Sequence, residues 1–161
     1  MKRIAVLLIV FLCFGCFCSC DPVKYYPYQD AEYIKTVVDS VELIYYENDL
    51  AKERLGWFGG NILPFDFSKM TIIETLPKEH NDVFIDKLSQ IYTLDYVPYD
   101  SPNKECVKIN YTDGTFDIIC FNFAFACTYD NNGNFIRIIG NGAGIQLQEI
   151  VNTMFEAKFR Y

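Results

Sequence analysis

The strongest pattern of hydrophobic and polar positions lies at the N-terminus. Lys2 and Arg3 precede a run from Ile4 to Phe17 that carries no charged residue. As a helix this run would reach about 21 Å at ~1.5 Å per residue, short of the ~30 Å hydrocarbon core of a bilayer. A basic start, an apolar run of this length and the polar sequence that follows predict a secretory signal at residues 1–19 rather than an uncleaved membrane anchor.

Two β-strands are predicted in the first half of the remaining chain. The run from Val37 to Tyr46 is rich in β-branched and aromatic residues, and Asp30 caps a brief helix before it. Within the run, Val41, Leu43 and Tyr45 alternate with Glu42, Ile44 and Tyr46, which predicts a strand with one strongly buried face. Met70 to Leu76 is dense in Ile and Thr and predicts the second strand. The intervening Glu47 to Asp66 has no clear period and contains glycines and a proline, so we expect a long loop with one helical turn near residues 50–55.

Two longer amphipathic helices are predicted. Phe84, Leu88 and Ile91 follow helical spacing after Asn81, and Pro77 suits the first position of this helix because that position needs no amide donor. A second helix closes the chain, with apolar residues at helical spacing from 147 to 155.

Asp113 and Gly114 give the clearest turn signal. Asp-Gly is a preferred pair for a two-residue hairpin loop. That register would pair Ile109 with Ile118, whereas a three-residue loop would pair Lys108 with Ile118 and mix polar with apolar partners. We therefore predict the two-residue loop. In that register the side chains of Cys106 and Cys120 lie on opposite faces, which disfavours a disulfide between them.

Together these elements predict an α+β fold. We expect an antiparallel sheet of about five strands, the last three forming a meander, with helices packed mainly on one face. The length suits a single domain. The predicted organisation is a signal at residues 1–19, a tether at 20–29 whose tyrosines lie on the domain, and one α+β domain at 30–161.

Charge and cysteine content exclude several kinds of partner. The chain has 14 basic and 21 acidic residues, and removing Lys2 and Arg3 with the signal leaves 12 and 21, a net charge of -9. This argues against a nucleic-acid partner. Of the seven cysteines, Cys106, Cys120 and Cys127 lie beyond residue 20, and an odd number cannot all pair internally. Their spacing is not that of a zinc site. We expect no cofactor and no bound metal.

The end of the signal resembles the lipobox of bacterial lipoproteins. Phe17, Cys18, Ser19 and Cys20 occupy the matching positions, with Phe17 where the family prefers Leu and Cys18 where it prefers Ala or Ser. The resemblance implies that Cys20 is acylated and becomes the mature N-terminus, with Cys16 as the second choice. An acyl anchor would hold the protein at the outer face of a bacterial membrane. Without acylation at Cys20 the protein would be secreted.

Candidate catalytic groups are few. His80 is the only histidine and lies among charged residues, so we interpret it as a solvated side chain rather than a general base. The acidic residues show no spacing that marks a catalytic pair; those considered are Asp39, Glu42, Asp95, Asp113 and Asp117. The sequence 130–134 departs from the calcium-loop pattern and is interpreted as a hairpin turn. We therefore predict that the protein is not an enzyme.

Trp57 and Phe58 are the candidate partner contact. They stand between Gly56 and Gly59 in the predicted long loop, where two aromatic rings can form a contact platform for a glycan or a protein. The alternative is that one of the rings folds back over the sheet as part of the core.

The lipobox and three further segments resemble a group of small bacterial lipoproteins of uncharacterised function. These segments are Ser-Val-Glu-Leu-Ile-Tyr-Tyr at 40–46, Leu-Pro-Phe-Asp-Phe-Ser-Lys-Met at 63–70 and the Asp-Gly hairpin. The resemblance implies no activity. The leading expectation is a lipid-anchored extracytoplasmic binding protein for a protein or glycan. The alternatives are a surface inhibitor or immunity-type protein directed against a hydrolase or toxin, and a small hydrolase that uses paired carboxylates.

Overall fold

The computed structural model describes residues 24–25, 30–47, 64–93, 104–121, 126–140 and 144–157. Its strands are β1 Lys24–Tyr25, β2 Val38–Tyr46, β3 Met70–Thr75, β4 Tyr92–Thr93, β5 Glu105–Tyr111, β6 Phe116–Cys120, β7 Ala126–Tyr129 and β8 Phe135–Gly140. Its α-helices are α1 Ala31–Val37, α2 Asn81–Ser89 and α3 Gly144–Met154. Short 3₁₀ turns span Phe67–Lys69 and Lys78–His80.

The main sheet is antiparallel and six-stranded, in the order β3-β2-β5-β6-β7-β8. The α+β class is confirmed, with six strands in place of the expected five. The difference lies in the meander, because the chain reverses between Phe121 and Ala126 and makes separate strands of β6 and β7. The four residues between them contain no Gly or Pro to mark a turn. Separately, β1 pairs with β4, so Lys24 and Tyr25 of the expected tether join a two-stranded sheet.

Both faces of the main sheet are largely buried along its four central strands, β2, β5, β6 and β7. One, the helix face, packs against α2 and α3 and takes Val41 and Leu43 from β2. The other, the aromatic face, takes Ile44 and Tyr46 from the same strand. It also contains Phe65, Cys106, Phe116, Ile118, Cys120, Cys127 and Tyr129. The prediction of a single buried face for β2 was therefore wrong, since this strand lies inside the sheet and is covered on both sides.

Asp30 and the apolar spacing of α2 act as predicted, whereas Pro77 does not. Asp30 accepts a hydrogen bond from the backbone N–H of Tyr33 (3.3 Å) and starts α1. In α2 the side chains of Phe84, Ile85 and Leu88 are buried against the helix face of the sheet. Pro77 precedes a 3₁₀ turn that leads into α2, instead of occupying the first position of the α-helix.

The predicted hairpin register was wrong. The structure pairs Lys108 with Ile118 and Cys106 with Cys120, which is the register of the three-residue loop. Gly114 takes the left-handed conformation that this loop requires, with φ of 85°, and its N–H donates to Tyr111 O (3.0 Å). The sequence argument failed because it assumed that polar residues face solvent, whereas both faces are buried and Lys108 pairs with Glu42 instead.

Rings from four parts of the chain pack together on the aromatic face. Phe65 lies against the rings of Tyr46 (5.1 Å between centroids), Phe116 (5.4 Å) and Tyr129 (5.7 Å). Its N–H donates to Gly133 O (2.6 Å) in the turn between β7 and β8. These contacts hold the segment that leads into β3 against the sheet.

Candidate functional site

Exposed large hydrophobic side chains concentrate at one edge of the sheet. Of seven such residues in the described part of the chain, four lie on β3, its entry turn and the adjacent end of β2. We call this set the β3 edge surface: Phe67 and Ile72 on the side of the aromatic face, Tyr45 on the side of the helix face, and Ile73 on β3 beside them. Scattered exposed hydrophobic residues are ordinary, but a cluster on neighbouring positions is typical of an interaction site.

The backbone of β3 explains why both isoleucines are exposed. Ile72 lies opposite Ile44 of β2, and the next pair joins Glu74 to Leu43, so Ile73 is an extra residue in a β-bulge. Because β3 is an edge strand, none of the strands that the structure describes pairs with its outer side. The bulge interrupts the regular backbone pattern, which hinders continuous strand addition and protects the edge against self-association. A partner is therefore expected to contact the isoleucine side chains of β3 and not to add a strand through its backbone hydrogen bonds.

The entry turn of β3 holds Phe67 half in the core and half in solvent. Asp66 caps this turn by accepting hydrogen bonds from Ser68 N (3.0 Å) and Ser68 Oγ (2.6 Å). The N–H of Asp66 donates to the hydroxyl of Tyr46 (3.2 Å), which fixes the turn to β2. The ring of Phe67 contacts Phe65 and Phe116 and keeps its remaining surface exposed. The capped turn and these ring contacts thus hold Phe67 at the surface.

The charged groups around this edge are engaged by the protein. Glu74 accepts hydrogen bonds from the backbone N–H groups of Glu156 (3.0 Å) and Ala157 (2.8 Å) and so ties β3 to the residues after α3. Lys104 lies over the ring of Tyr45, with Nζ 5.8 Å from the centroid. Glu105 lies opposite Tyr45, and partial burial raises the pKa of its carboxyl. Because Glu74 and Lys104 already contact other parts of the protein, the apolar side chains are the groups of the β3 edge surface most available to a partner.

The residues that the sequence singled out for lipidation and partner contact lie outside the described residues. Cys20, its alternative Cys16, and the Trp57–Phe58 pair therefore stay predictions. His80 lies at the end of the second 3₁₀ turn with an exposed side chain, as its interpretation as a solvated group requires.

Of the carboxylates considered in the sequence, Glu42 and Asp117 lie on opposite faces of the sheet, and Asp95 lies outside the described residues. Glu42 lies on the aromatic face, where its Oε2 is 3.2 Å from Lys108 Nζ. Asp117 alternates with Phe116 and Ile118, which places it on the opposite face, where it accepts a hydrogen bond from the Tyr111 hydroxyl (2.5 Å). Asp39 and Asp113 are exposed, and Asp113 caps the hairpin loop by accepting from Thr115 N (2.9 Å).

The 130–134 segment is the predicted hairpin turn. Asp130 accepts hydrogen bonds from Asn132 N (2.8 Å), Asn134 N (2.8 Å) and Asn134 Nδ2 (2.9 Å), so its carboxylate closes the turn itself. These hydrogen bonds, above all that from the Asn134 side chain, hold the pKa of Asp130 below its ordinary value. Across the described ranges, no group of three or more His, Cys, Asp or Glu side chains is arranged to hold a metal ion.

Comparisons with protein families, with curated proteins and with solved structures found no match for this chain. Among the helices that the structure describes, none has the length and apolar character needed to cross a bilayer.

Sequence reasoning did not identify the β3 edge surface. The sequence feature that could have indicated it is the adjacent pair Ile72 and Ile73. Consecutive residues of a strand point to opposite faces, so both isoleucines can be buried only if the strand is covered on both faces. If one face is open, at least one of the two side chains is exposed. Whether such a strand lies inside a sheet or at its edge depends on the topology, which the local pattern does not contain.

Proposed function

We propose that this chain is a lipid-anchored, extracytoplasmic interaction protein that binds a partner protein through the β3 edge surface. The observation that carries the proposal is the concentration of exposed Tyr45, Phe67, Ile72 and Ile73 along one sheet edge. Apolar and aromatic side chains at the centre of an interface supply most of its binding energy. The partner is expected to contribute apolar side chains at the contact and basic residues around it, because this chain is acidic.

The isoleucine side chains favour a protein partner over a glycan. Sugars bind to exposed aromatic faces flanked by hydrogen-bonding groups, whereas β-branched aliphatic side chains offer contact only to apolar groups. The exposed tyrosine of the β3 edge surface is Tyr45, and Lys104 already lies over its ring. An inhibitor or immunity-type role is the special case in which the partner is a hydrolase or toxin.

Site-specific photo-crosslinking in the native cells tests the proposed surface. A photoreactive amino acid at Ile72 is expected to give a discrete protein adduct that mass spectrometry can identify. The matched control is Ile136 on β8, the other edge strand, since the two residues are 48% and 49% exposed. An adduct pattern that is the same from both positions, or no adduct from Ile72, would refute the proposed surface.

Binding by the purified partner provides the quantitative test. The substitution Ile72→Lys is expected to weaken binding at least about tenfold, as loss of a central apolar contact does, and Ile136→Lys to leave it unchanged. Both variants should unfold within about 0.5 kcal/mol of the parent chain because both positions are exposed. Identification of the captured protein as a hydrolase or toxin would select the inhibitor role.

The lipid anchor is tested by mass spectrometry of the N-terminal peptide from membranes. We expect acyl chains on Cys20 as the first residue and loss of membrane retention in Cys20→Ser. An unmodified N-terminus would remove the anchor from the proposal, and acylation at Cys16 would move it.

A further inference from the structure

Two cysteines of the β5–β6 hairpin face each other across the strands. Cys106 lies directly opposite Cys120, and their sulfur atoms are 3.3 Å apart. Both are buried on the aromatic face, 1% and 3% exposed. We propose that these residues are a disulfide site that covalently closes the hairpin, and that Cys127 keeps its thiol.

The hairpin geometry suits this bond. Tyr111 N–H donates to Thr115 O (3.0 Å) and makes this pair the first hydrogen-bonded pair of the hairpin. Hydrogen-bonded and non-hydrogen-bonded pairs alternate along antiparallel strands, and the β5–β6 register continues without a bulge to Cys106 and Cys120. Counting back from the loop places this pair at a non-hydrogen-bonded position. Such pairs have Cα atoms about 4.5 Å apart, within the range that disulfides span.

Cys127 is poorly placed to compete for either partner. It lies on β7 opposite Ile118, two residues away from Cys120 along β6. Diagonal positions of this kind are about 7–8 Å apart, at or beyond the limit for a disulfide without movement of the backbone. Cys106 is farther still from Cys127, because β6 lies between β5 and β7 in the sheet. The register therefore selects Cys106–Cys120 from the three possible pairings.

The bond would form by thiol–disulfide exchange with a disulfide oxidant, either a small-molecule disulfide or a dithiol oxidoreductase. One cysteine thiolate attacks the oxidant and displaces one of its sulfurs, giving a mixed disulfide. The second cysteine thiolate attacks this intermediate and releases the other sulfur of the oxidant. The two cysteines lose two protons and two electrons, and the oxidant's disulfide becomes two thiols. Because both sulfurs are buried in the folded chain, exchange is expected during folding, when the local hairpin has formed and the aromatic face is still open.

Peptide mapping of the full chain tests the pairing without any substitution. The chain is purified in detergent, unfolded, refolded with oxidised and reduced glutathione, alkylated in denaturant and digested with trypsin and chymotrypsin. Cleavage after Lys104 and Lys108 isolates Cys106, cleavage after Phe116 and Phe121 isolates Cys120, and cleavage after Phe125 and Tyr129 isolates Cys127. We expect peptide 105–108 linked to peptide 117–121, and an alkylated Cys127. Alkylation of all three cysteines, or a link to Cys127, would overturn the proposal.

Variants and reductant measure the effect of the bond on stability. Closing a loop of this length favours the folded state by a factor on the order of 100 in the folding equilibrium constant. Addition of reductant should therefore lower the unfolding midpoint of the parent chain and of Cys127→Ala, and leave that of Cys106→Ala unchanged. A midpoint shift that persists in Cys106→Ala would contradict the assignment. Peptide mapping of the disulfide does not depend on the β3 edge surface. The Cys106–Cys120 bond can therefore be disproved while partner binding is confirmed, and partner binding can be disproved while the bond is confirmed.

Discussion

The ion pair between Glu42 and Lys108 offers a sharp test of how the aromatic face is stabilised. The two residues lie directly opposite each other on β2 and β5, with Oε2 and Nζ 3.2 Å apart. Their side chains are only 13% and 10% exposed, and the ammonium of Lys108 also lies 5.1 Å from the centroid of the Phe116 ring. Removing either partner leaves a charge in a site with little water to solvate it.

The expected magnitudes follow from that burial. A single substitution, Glu42→Leu or Lys108→Met, should lower the free energy of unfolding by about 3 kcal/mol, the lower end of the range for broken buried pairs. The double substitution should lie within about 1 kcal/mol of the parent, because two apolar side chains then fill the site without a charge. The matched control is Lys35→Met, which breaks the more exposed pairs with Asp86 and Glu32 and should leave the unfolding midpoint nearly unchanged.

Urea unfolding followed by circular dichroism measures these changes. With an m value of about 2 kcal/mol/M, a loss of 3 kcal/mol lowers the midpoint by about 1.5 M. The reasoning is refuted if the two single losses add in the double variant, since additivity would show that the residues contribute through packing and not through their pairing.

Two further predictions concern the turns. Gly133 has φ of 80° and an added Cβ would overlap Phe65 O, whereas at Gly114, with φ of 85°, an added Cβ meets nothing closer than 3.6 Å. Gly114→Ala should therefore cost about 1–2 kcal/mol for its conformation, and Gly133→Ala clearly more in the same unfolding assay; equal losses would contradict the close approach. The carboxyl of Asp130 should titrate below its ordinary pKa by NMR, and Asn134→Ala should return it toward that value. Its stabilising effect is present above the unfolded-state pKa and is lost as pH falls through the folded-state pKa, so Asp130→Asn should flatten the acid side of the stability profile.

The elements that could be predicted from the sequence are those with short-range causes. Asp30 starts α1 because its carboxylate reaches a backbone N–H three residues ahead, and the apolar spacing of Phe84 and Leu88 orients α2 toward the sheet. The turn around Gly133 depends on residues that tolerate a left-handed backbone and on the Asp130 side chain. Each of these signals is contained within a few residues, so no knowledge of the topology is needed to interpret it.

Long-range pairing decided the features that the sequence could not. The hairpin register failed because Lys108 finds its partner on β2, 66 residues away along the chain, and so need not face solvent. The β3 edge surface could not be recognised from Ile72 and Ile73 alone, because any strand of that composition can be central or peripheral. The β3 edge surface exists because the topology places β3 at the edge of the main sheet.

By itself, the sequence determined the α+β class, the caps, the amphipathic helices and the positions of most strands, because these depend on backbone hydrogen bonds and periodicity over short distances. Only the tertiary structure decided that both sheet faces are buried, that Cys106 faces Cys120, and that exposed isoleucines lie at the β3 edge. The physical reason is that burial belongs to the packed sheet as a whole, and the same alternating strand is a core element or an open edge according to the strands placed beside it.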